Sequence, residues 1–396
     1  MANTTRNIWN DEPGERVAPK KRGGFRRFLV FFMVLAVVLA VVLFAAYRDG
    51  TGFDALRRYL NYGKEATTAD GDALYDYDAS ANNRFAVLGN RLVVLSDTRL
   101  RLLDPDGSEV WSAAVSMKAP AIHFGGGRAV AYDVGGTELY VLGEEGQLLH
   151  ITADEQEPLI AATLNDSGYL AVTAEKKGYK SSVQVYDPEL ELVFAFNSSR
   201  RFVTDAYVTN DNTTLAAVTL GQRDGVFLSN VVIYDLTQTE STANYDVMDG
   251  QVLAVGQQGD YLSTVTDTGV TFARQDGGDL STYGYDGAFL REYDLGGDDF
   301  VVLLLNRYRS GSVGRLVSIA PGGQELGRLD VNEEVLGLSA AGRYLAVLYA
   351  DRLEIYNRDL QLYASLQGTD FAREVLQRGD GSVLLLASEY ARLFLP

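Results

Sequence analysis

Short apolar runs recur along most of this chain. Each is entered through a glycine or polar turn, and each is followed after a brief break by another. The stretch GRYLAVLYADRLEIYNRDLQLYAS (342–365) shows the pattern: YLAVLY, a break at Ala350-Asp351, RLEIYN, a break at Arg358-Asp359, then LQLYAS. Runs this short, bounded by turn residues and rich in Val, Ile and Tyr, predict three antiparallel strands. Such a meander is marginal by itself in water, so it must pack on something else.

The same phrase is written elsewhere. Its apolar run appears as NRLVVLSD (90–97), GRAVAYD (127–133), GYLAVTAE (168–175) and TTLAAVTL (213–220). It returns as DYLSTVTD (260–267), DFVVLLLN (299–306), GRYLAVLY (342–349) and GSVLLLAS (381–388). Each is followed by a partner strand, and these partners recur at intervals of 37 to 48 residues, about 42 on average. That period, with four short strands per unit, predicts an all-β fold, a β-propeller of four-stranded antiparallel sheets. VVLLL (301–305) and VLLLA (383–387) are apolar on both faces, as a blade packed between two neighbours requires. Eight units are counted. Seven is the alternative, because the unit at 252–285 matches the phrase least well. The last unit lacks a fourth strand, and ALYDYDA (73–79) is placed to supply it and close the ring.

Charge changes the picture at the N-terminal end. Residues 1–27 hold seven Lys/Arg and three acids, about +4, which leaves 28 basic and 50 acidic residues afterwards, about −22. Between them FLVFFMVLAVVLAVVLFAAY (28–47) carries no charge, and twenty residues at 1.5 Å rise reach about 30 Å, the hydrocarbon thickness of a bilayer. The run is long for a cleaved signal peptide, and KKRGGFRR abuts its N-terminal side. The expectation is a single-pass signal-anchor. A basic cytoplasmic tail (1–27) and a transmembrane helix (28–47) are followed by a stalk with a short amphipathic helix (48–72). An extracytoplasmic propeller (73–396) completes the chain, and the location is the cell membrane.

The phrases LRLLDPDGSEVWSA (100–113), SVQVYDPELELVFA (182–195) and LEIYNRDLQLYASL (353–366) are similar to units of bacterial quinoprotein-like and WD40-like propellers. With the N-terminal apolar segment, the chain resembles an uncharacterised family of bacterial single-pass membrane-anchored β-propeller proteins. The resemblance covers residues 73–396 and speaks to fold rather than to function. The Gly-His and Trp-Asp marks of WD40 repeats are missing. Trp111 alone matches the quinoprotein-type tryptophan, which argues against a pyrroloquinoline cofactor.

Candidate chemistry is sparse. There is no cysteine, hence no disulfide, thiolate nucleophile or Cys-based metal site. Two histidines, His123 and His150, leave little for acid–base work near neutral pH. His123 is placed at the end of a first strand near the central channel, and His150 in an outer strand. Asp104, Asp106 and Glu109 in LDPDGSE invite a Ca²⁺ reading, but Pro-Asp-Gly is also what a tight turn wants, and EF-hand spacing is absent. FGGGRAVA (124–131) and VGGTE (134–138) lie between strands and read as turns. No catalytic, cofactor or metal residue is therefore assigned.

The two longest hairpin insertions carry Lys176, Lys177, Tyr179 and Lys180, and Arg307, Tyr308 and Arg309. Long loops on a rigid ring are where recognition sits. An acidic domain repels nucleic-acid phosphates. The expected function is a non-catalytic binding or scaffold module for a protein or cell-envelope partner. The rival is a glycan or peptide hydrolase using carboxylates at the channel mouth. A transmembrane sensor is a third reading, against which stands a tail without an output domain.

Overall fold

The computed structural model describes residues 23–49, 54, 58, 74–223, 226–247 and 250–396. Eight four-stranded antiparallel sheets follow one another along the chain, at 84–114, 120–152, 159–198, 202–246, 252–284, 289–331, 335–367 and 374–394. These are the eight blades of a β-propeller. The unit at 252–284, the weakest match to the repeat, is a complete blade, so the count is eight and not seven.

The recurrent apolar phrase forms the second strand of each blade and its partner the third. Both are buried: Val301–Asn306 and Tyr344–Tyr349 have no exposed residue. Residues alternate between blade faces along a strand, so neighbouring blades cover both faces and one strand feeds two cores. Thus Val302 and Leu304 pack with Leu345 and Val347 of the next blade, while Val301 and Leu303 pack with Val270 and Phe272 of the previous one.

The last blade is closed from the other end of the chain. Its strands Glu374–Gln377, Val383–Leu386 and Tyr390–Phe394 take Tyr75–Asp76 as the fourth, with Tyr75 opposite Ala391 and Asp76 opposite Tyr390. The Tyr77 hydroxyl reaches the carbonyl oxygens of Ala387 and Tyr390 at 2.9 and 2.8 Å. Edge pairing of this kind leaves the ring no unpaired terminal strand.

Of the expected stalk, Arg57 and the linker at 59–73 lie outside the described residues, as does the tail at 1–22. Arg58 is described and is buried in the last blade. Its guanidinium donates to the Asp380 carbonyl at 2.8 Å, the Tyr363 hydroxyl at 3.1 Å and the Pro396 carbonyl at 3.0 Å. Gly381 beside it has φ +84°, and a Cβ there would meet the guanidinium at 2.8 Å.

One helix, Gly23–Asp49, forms a separate unit. Its side chains are described over 28–42 and all are exposed. Among the described residues no helix is long and apolar enough to cross a membrane. The expected spanning segment, and with it the cell-membrane location with the propeller outside, is therefore corrected.

Candidate functional site

The innermost strands of the eight blades enclose a central channel with a cavity of about 910 Å³. Five of those strands carry a β-bulge at one level. The register shifts at Leu159/Ala161, Val203/Asp205, Val252/Ala254, Leu290/Glu292 and Val335/Gly337. A bulge re-aims the residue that follows it. In blades four and six that residue is a carboxylic acid, Asp205 and Glu292.

Side chains of the inner strands staple successive blades from the second to the eighth. Leu164 N–H donates to His123 Nδ1 at 3.1 Å, and the Thr163 hydroxyl donates to the Ala206 carbonyl. Asn210 N–H donates to Gln257 Oε1 at 2.8 Å, and Gln258 Nε2 to the Leu295 carbonyl at 2.8 Å. Glu292 Oε1 accepts from Leu338 N–H at 3.1 Å, and Asp294 Oδ2 from Ala340 N–H at 3.0 Å. Ser339 Oγ accepts from Gln377 N–H at 3.0 Å. These bonds satisfy backbone groups on the free edge of each inner strand, which buried chain requires.

The protein around the channel strips solvent from its titratable groups. Burial pushes the Asp205 carboxyl up to about 7 and that of Asp294 up to about 6, the latter against the pull of the Gly296 and Ala340 N–H groups. Burial also raises Glu292 to about 7, with the nearby Asp294 charge adding to it. Glu374 is raised for the same reason; its side chain is open to solvent on one side but walled by protein on the others. His123 moves the opposite way, down to about 4, so its ring is neutral at pH 7. Since Nδ1 accepts the Leu164 N–H, the ring proton sits on Nε2.

These carboxylic acids were not singled out by sequence. The signal that marks Asp205 is an acid within a largely apolar first strand, FVTDAYV (202–208); FLREYD (289–294) carries Arg291, Glu292 and Asp294 together and gives no such contrast.

The two predicted loops lie elsewhere. Lys176, Lys177, Tyr179 and Lys180 join the second and third strands of blade three, and Arg307, Tyr308 and Arg309 do so in blade six. Strand direction puts both loops on one face of the ring, separated by blades four and five, and away from the hairpins that border the channel cavity. Lys176 Nζ pairs with Glu157 at 2.6 Å, and Glu157 also accepts the Lys177 N–H at 3.3 Å. Lys180 Nζ lies 4.8 Å from the Phe202 ring centre. Arg307 stacks on Tyr308 and Arg309 on Phe289, both at 5.5 Å. Tyr179, Phe202, Phe227, Phe289 and Tyr308 are all exposed there, Phe227 to 69%.

His150 is on an outer strand, stacked on Tyr140 at 4.1 Å and 2.5 Å from Glu138 Oε2. In the LDPDGSE turn, Asp104 pairs with Arg91 at 2.7 Å, Asp106 accepts the Ser108 N–H at 2.9 Å, and Glu109 pairs with Arg101 at 2.8 Å. Each carboxylate thus has its own partner.

Residues 59–254 match the family of unknown function DUF5711, a span that ends in the inner strand of blade five. Comparison with curated proteins gives no match. Among solved structures, the chain is similar to the C-terminal WD40 domain of Sif2, with a TM-score of 0.57 and 13% identity over 82% of this chain and 98% of that one. It is similar to the computationally designed Ika8 protein at TM-score 0.56 and 14% identity, over 82% and 99%. BamB from Moraxella catarrhalis follows at 0.51 and 12%, over 83% and 99%. At these identities the likeness is one of fold.

Proposed function

We propose that this propeller is a non-catalytic binding module that docks a protein partner on the face carrying Tyr179 and Tyr308. The observation that carries the reading is the set of exposed aromatic side chains there, on blades three, four and six. They stand beside Lys180, Arg307 and Arg309 in a chain of net charge −18. Aromatic residues and arginine are the side chains that dominate protein–protein hot spots. Lys176 is paired with Glu157, but Lys180, Arg307 and Arg309 set cations beside these aromatic side chains, which suits a partner presenting acidic groups among apolar ones. A rigid ring presents both loops in fixed positions, so a partner spanning blades three to six meets little ordering cost.

The test is in-cell crosslinking of tagged full-length protein, with mass spectrometry of what is captured. Three forms are compared: wild type, a variant with 176–180 and 307–311 replaced by Gly-Ser, and Leu362→Ser on an outer strand. A partner captured by wild type and Leu362→Ser but lost from the loop variant supports the reading. Equal capture by all three sinks it.

A hydrolase using channel carboxylates has one observation in its favour, the raised Asp205 and Asp294 in the same cavity. Against it, both Asp294 oxygens hold backbone N–H groups, Gly296 at 2.6 Å and Ala340 at 3.0 Å. Asp294 is thereby not free to act as acid or nucleophile beside Asp205, and the docking reading, which rests on the exposed aromatic side chains, is preferred.

A further inference from the structure

The channel has a composition that docking on the opposite face does not use. Its walls include His123, Phe124, Tyr132, Asp205, Tyr207 and Tyr293, from blades two, four and six. The volume lies within the range of small-ligand sites, and such sites pair aromatic walls with a few polar groups.

Two of those polar groups are left with capacity. Asp205 follows the bulge in its strand, and one of its oxygens accepts the Ala206 N–H at 2.8 Å. No cation pairs with it among the described residues. What surrounds it are the phenols of Tyr132 and Tyr293, both close enough to feel its charge. His123 spends Nδ1 on the Leu164 N–H and keeps Nε2–H as a donor beside the cavity. Leu164 and Thr163 are adjacent on one strand, and Thr163 bonds the Ala206 carbonyl. His123 and Asp205 are therefore held on either side of the same blade-three strand.

A carboxylate removed from water without a counter-charge is costly, and a bound cation offsets that cost. Aromatic faces around it attract the same kind of ligand through their quadrupoles. At the mouth, Asp166 and Asp298 add further negative charge. We propose that the central channel binds a small organic amine, its ammonium group on the free oxygen of Asp205 and its apolar body between the aromatic side chains. His123 Nε2–H would donate to an acceptor on that ligand. This inference does not rest on the docking reading, whose face lies across the ring.

The test uses full-length protein and three probes of one shape: 2-phenylethylamine, 2-phenylethanol and phenylacetate, followed by ligand-observed NMR and calorimetric titration. The amine is expected to bind at least about tenfold more tightly than the alcohol, the worth of one charge-assisted hydrogen bond, with phenylacetate not binding. Asp205→Asn, similar in shape, is expected to remove that preference in a protein that still unfolds cooperatively. Tyr308→Ala is expected to leave it intact. Phe124→Ala, on the exposed wall, should weaken the amine and alcohol alike. Equal binding of amine and alcohol to the wild type, or no amine binding at millimolar concentration, overturns the proposal without any variant. So does an unchanged preference in folded Asp205→Asn.

Discussion

Arg58 donates to the carbonyl oxygen of Asp380, 322 residues further along the chain. Its other bonds, to Tyr363 and the Pro396 carbonyl, tie it to the last two blades. A buried guanidinium with several acceptors cannot be truncated without leaving those acceptors unpaired. Arg58→Ala is expected to lower stability by about 2–4 kcal/mol, seen as an earlier midpoint in urea or thermal unfolding. Arg58→Lys should retain part of it, because one ammonium cannot reach three acceptors. A melt identical to wild type would show that Arg58 is a bystander.

Ring closure rests on the pairing of Tyr75 and Asp76, on the Leu74 and Tyr77 N–H bonds to the Ala391 and Glu389 carbonyls, and on the Tyr77 hydroxyl. Tyr77→Phe removes the bond to Ala387 and Tyr390 and keeps the ring, so a loss of about 1 kcal/mol is expected. Deleting 73–79 bares the edge of Tyr390–Phe394 as well, and should make the protein self-associate at its open edge beyond the wild type. Size-exclusion chromatography with light scattering decides between these outcomes.

The channel carboxyls give stability an unusual pH dependence. At pH 6 the folded chain keeps protons on Asp205 and Glu292 that the unfolded chain, with ordinary values near 4, has released. Folding then binds protons, and stability falls as pH rises from about 4 to about 7. His123, lowered from 6.5 to about 4, works against this below pH 6.5, where the unfolded state takes up the extra proton. Above 6.5 only the carboxyls contribute. The urea midpoint should therefore be lower at pH 8 than at pH 6.5, and Asp205→Asn should shrink the difference. A midpoint that rises over this interval would contradict the assignment.

Glu292 separates shape from charge. Its Oε1 holds the Leu338 N–H of blade seven, a task that a glutamine oxygen also performs. Glu292→Gln is expected to be neutral or stabilising at pH 8, where the native acid must ionise in a desolvated site. Glu292→Leu leaves the N–H without an acceptor and should cost about 1–3 kcal/mol. The order Gln above Leu in urea unfolding at pH 8 is the readout.

Much of the ring is legible in the sequence because second and third strands are buried on both faces, which writes long apolar runs such as YLAVLY at a fixed interval. Closure by 73–79 is legible too, since the last unit stops one strand short. The innermost strands are harder. Their bulges shift the alternation by one residue, so in FVTDAYV the position of Asp205 cannot be assigned to channel or core by counting. Nor does sequence place loops around a ring. Tyr179 and Tyr308 share a face because strand direction repeats from blade to blade, while the blades between them are a matter of the count being eight. The apolar stretch at 28–47 lies in the helix Gly23–Asp49, but no described helix qualifies as a span, so its composition does not carry the location read from it.

The pairing of Tyr75 with Ala391 has a bearing on how the protein is made. A ribosome delivers seven blades in order, each able to settle on the one before it, while Tyr75 waits for a partner not yet synthesised. The closing strand finds its partner only with residues 390–394, so the two ends of the ring meet last. A nascent chain halted a few residues early carries almost the whole core and yet has an open seam. For quality control, that seam distinguishes a closed ring from an open one.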